Sequence, residues 1–394
     1  MEIPTLNIGI VGHIDHGKTT LLYRLTEKWA DTHSEELKKG ITIKLGYANT
    51  TIKQEGNKLT TSSKSKGKPV KYVTFVDAPG HEMLMATMLS GAAIMDAAIL
   101  VIAADEGIKP QTQEHLIALQ ARNIKDIIIV QNKIDAVSKE QALENYKKIQ
   151  AFTKGTIAEN APIIPVSAQQ NINLDTLIKE INKIQPKQKQ EGKPLFLIAR
   201  SFDINRPGTP IKELKGGILG GALKSGSLNK GDIIEIKPGR TYKKQNQTVY
   251  ETIKTKIIAI YRGDKEIEQA LPGGSLAIET ELDPSLTKAD ALSGNLASLS
   301  GDMPEPTTDL KAKYQLFEKL AGTEKHETIQ EIKPTEMLMI SSNTSITVGH
   351  VKKAQKGILE ANLKIPIVPI KDSSIGIARN IKGHWRLIGF GSII

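Results

Sequence analysis

Five short motifs in a fixed order constrain this chain more than any other feature. They are Gly-His-Ile-Asp-His-Gly-Lys-Thr at 12 to 19, Thr42 within Gly-Ile-Thr-Ile, Asp-Ala-Pro-Gly-His at 77 to 81, Asn-Lys-Ile-Asp at 132 to 135, and Ser-Ala at 167 and 168. The first fits the phosphate-loop pattern G-x-x-x-x-G-K-[ST]. Alone, such a match can be an ordinary glycine turn. With the other four elements following in register, it specifies a guanine-nucleotide site.

The apolar run 7 to 11 predicts a buried strand and 19 to 29 a helix, which makes 12 to 17 the turn between them. Glycines there let backbone N–H groups close around phosphate oxygens at the positive end of the helix dipole. Asp15, His16, Gly17 and Thr20 belong to this cradle. Lys18 is expected to reach the β- and γ-phosphates, and the Thr19 hydroxyl to ligate Mg²⁺. Asp77 ends a second apolar strand, placed to hold Mg²⁺ through water, and Thr42 is a further expected ligand. Gly80 would offer its N–H to the γ-phosphate, so that loss of this phosphate releases 77 to 90. His81 is the candidate to orient the attacking water; its alternative is an ordinary residue opening a switch helix. Asp15 either helps hold a second Mg²⁺ with the Gly40 carbonyl or points to solvent. The phosphate loop carries no arginine, which predicts slow intrinsic hydrolysis stimulated in trans.

Base identity comes from the strand at 126 to 131 and the turn after it. A carboxylate at Asp135 can accept N1–H and the exocyclic amine of guanine, a donor pair that adenine lacks, so the expected cofactors are GTP and GDP with Mg²⁺. Asn132 is expected to hydrogen-bond the base and tie its loop to the phosphate strand. Lys133 would lay its stem over the base and the Ala168 N–H would meet O6, with Ser167 and Gln169 beside it. The bland reading of 132 to 135 alone is an Asx-type turn after a strand.

Composition sets the outer limits. The 394 residues suffice for two or three domains, and the absence of Cys rules out disulfides and thiolate metal sites, which suits a reducing cytoplasm. Met-Glu-Ile-Pro-Thr runs straight into the first strand, leaving no room for a signal peptide, and no apolar run reaches the length of a membrane span. A cytoplasmic chain without membrane contact is therefore expected. The net charge of +10 favours a polyanionic partner such as RNA, although a Lys-rich proteome gives the same balance. Aromatics at 4% argue against extensive base stacking.

The texture changes once, clearly. Up to about 185, apolar strands (6 to 12, 71 to 77, 97 to 104, 126 to 132, 162 to 167) alternate with helical stretches (19 to 29, 83 to 95, 112 to 121, 138 to 152, 174 to 184). This predicts an α/β P-loop GTPase domain with a doubly wound, mostly parallel sheet, its nucleotide loops at strand carboxyl ends. A Lys- and Gln-rich connector at 185 to 194 leads to short strands punctuated by Gly and Pro (196 to 202, 218 to 224, 232 to 237, 254 to 261, 276 to 279), the pattern of a β-barrel. A second break at 301 to 308 precedes another strand-rich segment. Three domains follow: a G domain at 1–190, then β-barrels at 191–303 and 304–394.

Further segments narrow the class. They are His-Ser-Glu-Glu-Leu-Lys-Lys-Gly-Ile-Thr-Ile-Lys-Leu-Gly-Tyr-Ala (33 to 48), Gly-His-Glu-Met-Leu-Met-Ala-Thr-Met-Leu-Ser-Gly-Ala (80 to 92), Val-Gln-Asn-Lys-Ile-Asp (130 to 135), Lys-Gly-Gly-Ile-Leu-Gly-Gly (215 to 221), Leu-Asp-Pro-Ser-Leu-Thr-Lys-Ala-Asp (282 to 290) and Gly-His-Trp-Arg-Leu-Ile-Gly-Phe-Gly (383 to 391). With them the chain resembles the gamma subunits of archaeal and eukaryotic translation initiation factor two, relatives of the elongation factors that carry aminoacyl-tRNA. The resemblance implies a GTPase that brings methionyl initiator tRNA to the small ribosomal subunit and releases it after hydrolysis. It also implies a heterotrimer, with an alpha subunit on the first barrel and a beta subunit on the G domain. The aminoacylated tRNA end would lie between the G domain and the first barrel, where Tyr47 is either a contact or an ordinary strand aromatic. The row Met83, Leu84, Met88 is expected to be helix core rather than a partner groove.

One departure stands out. Members of the family usually carry a cysteine-rich zinc knuckle between the first switch and the Asp-Ala-Pro-Gly strand. Here 53 to 71 is rich in Lys, Ser, Thr and Gly and cannot bind zinc through thiolates, so no zinc is expected. The segment is expected to be a flexible solvated hairpin, its alternative a basic RNA-contacting loop. The competing reading of the whole chain is an elongation-type factor, for example for selenocysteyl-tRNA, or the GTPase subunit of a small-molecule enzyme. A third is a GTP-binding scaffold whose hydrolysis is incidental.

Overall fold

The structure is a computed structural model that describes residues 3–28, 46–77, 85–186, 192–245, 247–320 and 327–394. Gly40, Thr42, Gly80, His81, Met83 and Leu84 lie outside the described residues.

The described residues up to 186 build one seven-stranded sheet from β1 (Thr5–Gly12), β2 (Gly46–Glu55), β3 (Lys58–Thr60), β4 (Lys68–Asp77), β5 (Ala97–Ala103), β6 (Asp126–Asn132) and β7 (Ile163–Pro165). The spatial order is β3-β2-β4-β1-β5-β6-β7. Strand β1 runs parallel to both β4 and β5, and the parallel arrangement continues through β6 to β7. Helices α1 (Lys18–Thr26), α2 (Met85–Ala92), α3 (Pro110–Ala121), α4 (Lys139–Thr153) and α5 (Leu174–Lys183) alternate with the later strands. Every residue of β1 is buried, as expected of a central parallel strand covered on both faces. Leu6, Ile8 and Ile10 join Leu21, Leu22 and Leu25 of α1 in one core cluster. Helix α4 opens with a reciprocal cap: the Ser138 hydroxyl accepts from the Gln141 amide at 3.3 Å, and the Gln141 side chain accepts from the Ser138 amide at 2.9 Å.

At the edge, β2 and β3 run antiparallel to their neighbours. The inward residues of β2 are Ala48, Thr50 and Ile52, and the small and hydroxyl side chains among them weaken the period-two apolar signal that would mark a strand in sequence. Strand β4 also starts earlier than its apolar run, at Lys68. Lys71 is consequently not a solvated hairpin residue. Its ammonium lies under α5, donating to the carbonyls of Asn182 at 2.6 Å and Ile184 at 2.5 Å. It thus satisfies carbonyls left over at a helix C-terminus, and burial lowers its pKa to about 8.

Strands between Leu195 and Leu299 form a second sheet that closes on itself where Ile233–Lys244 pairs with Gln247–Arg262. Close backbone approach explains part of its Gly-Gly-Ile-Leu-Gly-Gly run: a Cβ on Gly216 would sit 1.7 Å from the Thr280 carbonyl oxygen. In the 282 to 290 segment, Asp283 accepts from the Ser285 amide at 2.8 Å, and Asp290 accepts from Arg200 Nε at 2.8 Å. The strands from Thr307–Leu316 to His384–Ile393 form a closed six-stranded barrel. The chain is thus an α/β domain with a mostly parallel sheet followed by two β-barrels. Two compact units divide it, Met1–Lys187 with Leu316–Gln330 and Ala378–Gly389, and the remainder. Among the described residues, no helix is long and apolar enough to cross a membrane.

Candidate nucleotide-binding site

The loop between β1 and α1 is held in a phosphate-loop conformation by its glycines. Gly12 has φ 138° and Gly17 φ 85°. Gly17 is the residue preceding α1, and a Cβ there would meet the Asn132 side-chain nitrogen at 2.3 Å. The requirement at 17 is therefore both conformational and steric. Lys18 is buried, its Nζ donating to the His13 carbonyl at 2.7 Å, so the ammonium lies within the curve of the loop. Asp15 is exposed at φ 62°, and Thr20 is half-buried.

His16 contributes its backbone to the cradle and its ring to the core. The ring is fully buried with Nδ1 3.2 Å from the Val101 carbonyl, and burial lowers its pKa to about 4. It is a neutral imidazole that donates to a strand carbonyl, not a cation facing phosphate.

Thr19 and Asp77 come together although 58 residues separate them, the Thr19 hydroxyl donating to Asp77 Oδ2 at 3.3 Å. Asp77 is fully buried at the end of β4. Among the described residues, no group of three His, Cys, Asp or Glu side chains could hold a metal ion. One hydroxyl and one carboxylate suit Mg²⁺, which keeps waters and takes phosphate oxygens rather than a full protein cage. Tyr47 is half-buried on β2, paired with Val76, one position from the Gly46–Asp77 pair.

Asn132 is the joint of the site. Its Nδ2 donates to the His16 carbonyl at 3.0 Å, and its Oδ1 accepts from the Ala168 amide at 3.0 Å. One buried side chain therefore locks the phosphate loop to the Ser-Ala loop. Lys133 adopts φ 60°, and its ammonium lies 3.2 Å from Glu106 and 3.4 Å from Asp105. Burial pulls its pKa down, but the hydrogen bond to Glu106 and the Asp105 charge outweigh that and raise it. Asp135 is exposed in the turn Ile134–Ala136. Ser167 is buried, its hydroxyl accepting from the Gln170 amide at 3.0 Å. Gln169 is exposed.

Four supporting residues escaped the sequence reading. His115 on α3 is buried and its Nδ1 accepts from the Gly12 amide at 2.8 Å. Burial pushes its pKa down to about 3, which preserves the lone pair that this bond needs. One turn earlier, Gln111 accepts from the Ile14 amide at 3.4 Å. Arg24 on α1 donates to the carbonyls of Ala168 at 3.0 Å and Gln169 at 2.9 Å, a second clamp between the two loops. Glu106 steadies Lys133. Of these, only Glu106, just past the β5 end, carries a local hint, since ligand sites lie outside the carboxyl ends of such strands.

Comparison with known proteins agrees with this geometry. Residues 3–187 match the family model described as the elongation factor Tu GTP binding domain, and 308–393 the one for initiation factor eIF2 gamma, C terminal. A translation initiation factor 2 subunit gamma from Methanococcus vannielii is 50% identical over 402 residues, covering 99% of this chain and 98% of that protein. The chain belongs to the family of translation initiation factor 2 gamma subunits. A second relative, from Pyrococcus furiosus, is 47% identical over 98% of this chain and 97% of its own length.

It is thus a translation initiation factor subunit whose first domain is a GTPase. Among solved structures, the elongation factor SelB of Methanococcus maripaludis with a GTP analogue shares the fold at a TM-score of 0.75, with 22% identity over 100% of this chain and 79% of that one. A bacterial selenocysteine-specific elongation factor gives 0.76 at 24% identity, covering 98% of this chain, which spans 58% of that longer one. At such identities the likeness is one of fold. The elongation-type reading is not favoured beside relatives at about half identity over their full length.

Proposed function

We infer that the chain carries methionyl initiator tRNA to the small ribosomal subunit while GTP is bound and releases it after hydrolysis. The observation that carries this reading is the near-complete coverage of initiation factor 2 gamma subunits at about half identity. The site supports it with a buried joint, Asn132, between the loop for phosphates and the loop for the base.

In this reading the amides of 15 to 18 hold the phosphate oxygens, and Lys18 turns from the His13 carbonyl to the β- and γ-phosphates. Thr19, Asp77 and Thr42 would hold Mg²⁺, with Asp15 and Gly40 candidates for a second ion. When bound, Mg²⁺ neutralises the charge that develops on the phosphate oxygens. Asp135 reads guanine, Lys133 covers the base, and Ala168 meets O6. Gly80 and His81 sense the γ-phosphate and orient the attacking water. Tyr47 flanks the tRNA end. An alpha subunit on the first barrel and a beta subunit on the G domain complete a cytoplasmic heterotrimer.

Filter binding with initiator and elongator tRNAs in both nucleotide states tests the reading. Charged initiator tRNA is expected to bind at least about tenfold tighter with GTP than with GDP, a coupling above 1 kcal/mol. Equal affinity in the two states would sink it.

A further inference from the structure

The loop joining β3 to β4 is neither slack nor neutral. Lys53 on β2 extends its ammonium into the loop and donates to three backbone carbonyls, Ser62 at 3.3 Å, Ser63 at 3.2 Å and Ser65 at 2.8 Å. Neighbouring serines complete the frame. The Ser63 hydroxyl and amide donate to Glu27 at 2.5 Å and 3.2 Å, and the Ser65 hydroxyl donates to Glu55 at 2.5 Å. The Ser63 bonds hold the Glu27 carboxyl below its ordinary pKa.

This arrangement leaves the lysines outside. Lys58, Lys64, Lys66 and Lys68 are all exposed, and no Asp or Glu occurs between Glu55 and Asp77. The two nearby carboxylates, Glu27 and Glu55, are hydrogen-bonded to serines. Among the described residues, none of the four lysines makes an ion pair within 4 Å. The result is four cations on a backbone ordered from within, a sequence-independent match for a row of phosphates.

Position argues which phosphates. The loop lies at the end of β4 opposite Asp77, roughly 30 Å away for a ten-residue strand. A surface so far from the γ-phosphate has no direct means of reading nucleotide state, which fits a constant docking contact rather than a cargo that is released.

We propose that the 56 to 68 segment, which comprises β3, the loop after it and the first residue of β4, is an electrostatic foot that contacts the phosphate backbone of small-subunit ribosomal RNA, independently of the bound nucleotide. This rests on the proposed delivery to the small subunit.

The test compares the full chain with a variant carrying Lys58→Gln, Lys64→Gln, Lys66→Gln and Lys68→Gln. A control carries Lys139→Gln, Lys147→Gln, Lys154→Gln and Lys179→Gln, also exposed lysines. Binding is titrated against purified small ribosomal subunits, protein-free small-subunit RNA and initiator tRNA over a range of salt. The loop variant is expected to lose roughly tenfold in subunit affinity at about 0.1 M salt, with a log–log salt slope shallower by about 3. The same loss is expected with GTP analogue and GDP, and with protein-free RNA. Unchanged nucleotide affinity verifies folding, and the GTP preference for initiator tRNA, which tests delivery itself, should persist.

An unchanged subunit affinity overturns the proposal, as does an equal loss in the control. Loss confined to tRNA or to one nucleotide state overturns it as well. A loss with intact subunits but not with protein-free RNA assigns the loop to an acidic protein surface and refutes the RNA contact.

Discussion

Two loops in the first domain each close around a lysine ammonium, and they are built in opposite ways. In the phosphate loop, Lys18 donates to the His13 carbonyl, while the backbone around it is held from far along the chain, by His115 for Gly12, Gln111 for Ile14 and Asn132 for His16. In the β3–β4 loop, Lys53 donates to three carbonyls no more than 12 residues away, and most of the supporting bonds span 2 to 12 residues. A loop framed by the domain's packing keeps its shape when its own lysine turns to a ligand. A loop framed by its lysine cannot release that lysine without losing the frame. The first arrangement suits a binding cradle, the second a fixed platform.

The largest effect that sharpens this contrast is expected at Lys18. Lys18→Ala should weaken GTP and GDP by roughly 10²-fold or more, as charge-assisted bonds to phosphate are worth about 1.5–3 kcal/mol each. Lys53→Met should leave nucleotide affinity unchanged, and a fluorescent-nucleotide titration of both variants checks the pair. Similar losses would erase the distinction.

Next in size is the joint. Asn132→Ala leaves the His16 carbonyl and the Ala168 amide without this partner, at about 1–3 kcal/mol for each buried group. Calorimetry should find the melting temperature lowered by about 5 °C or more. An unshifted transition would mean that Asn132 is not what holds the loops and that the Arg24 clamp suffices.

The acid limb of stability provides a third check. His115 has its pKa depressed from 6.5 to about 3, so the unfolded chain binds the extra proton first. Its contribution is complete above about pH 6.5 and declines as pH falls toward 3. His115→Gln keeps an acceptor for the Gly12 amide but cannot titrate in this range. Urea denaturation from pH 7 to 4 should therefore show a flatter decline for the variant, by an amount on the order of 1–3 kcal/mol. His16, depressed to about 4, adds to the same limb and remains in both proteins. Parallel pH profiles would remove His115 from the account.

The smallest effect lies in the platform itself. Lys53→Met should speed hydrogen exchange across 61 to 67 by roughly fivefold, equivalent to about 1 kcal/mol, with global stability nearly unchanged. Unaltered exchange would show that the serine bonds suffice without the lysine.

The α/β rhythm up to about 185, the placement of Asp77 and Asn132 at strand ends and that of Asp135 in the turn after β6 were legible from apolar runs ending in polar motifs. The antiparallel edge was not. Strand β2 buries Ala48 and Thr50 beside Ile52, and Ser- and Lys-rich residues after it look like a solvated tether until Lys53 and the carboxylates of Glu27 and Glu55 are seen to organise them. In sequence Lys71 reads as part of that solvated segment for the same reason, although its ammonium caps α5 more than 100 residues away.

Guanine-nucleotide chemistry demands particular side chains at fixed spacing, so the amino-acid order alone determined the phosphate loop, the Asn-Lys-Ile-Asp turn and the absence of any thiolate metal site. Tertiary structure decided what holds those loops still. A backbone amide such as that of Gly12 presents the same donor in every sequence, and its acceptor, His115, is chosen only when α3 packs against β1. Bonds between residues a hundred positions apart leave no periodic trace, because they depend on where the core brings two surfaces together.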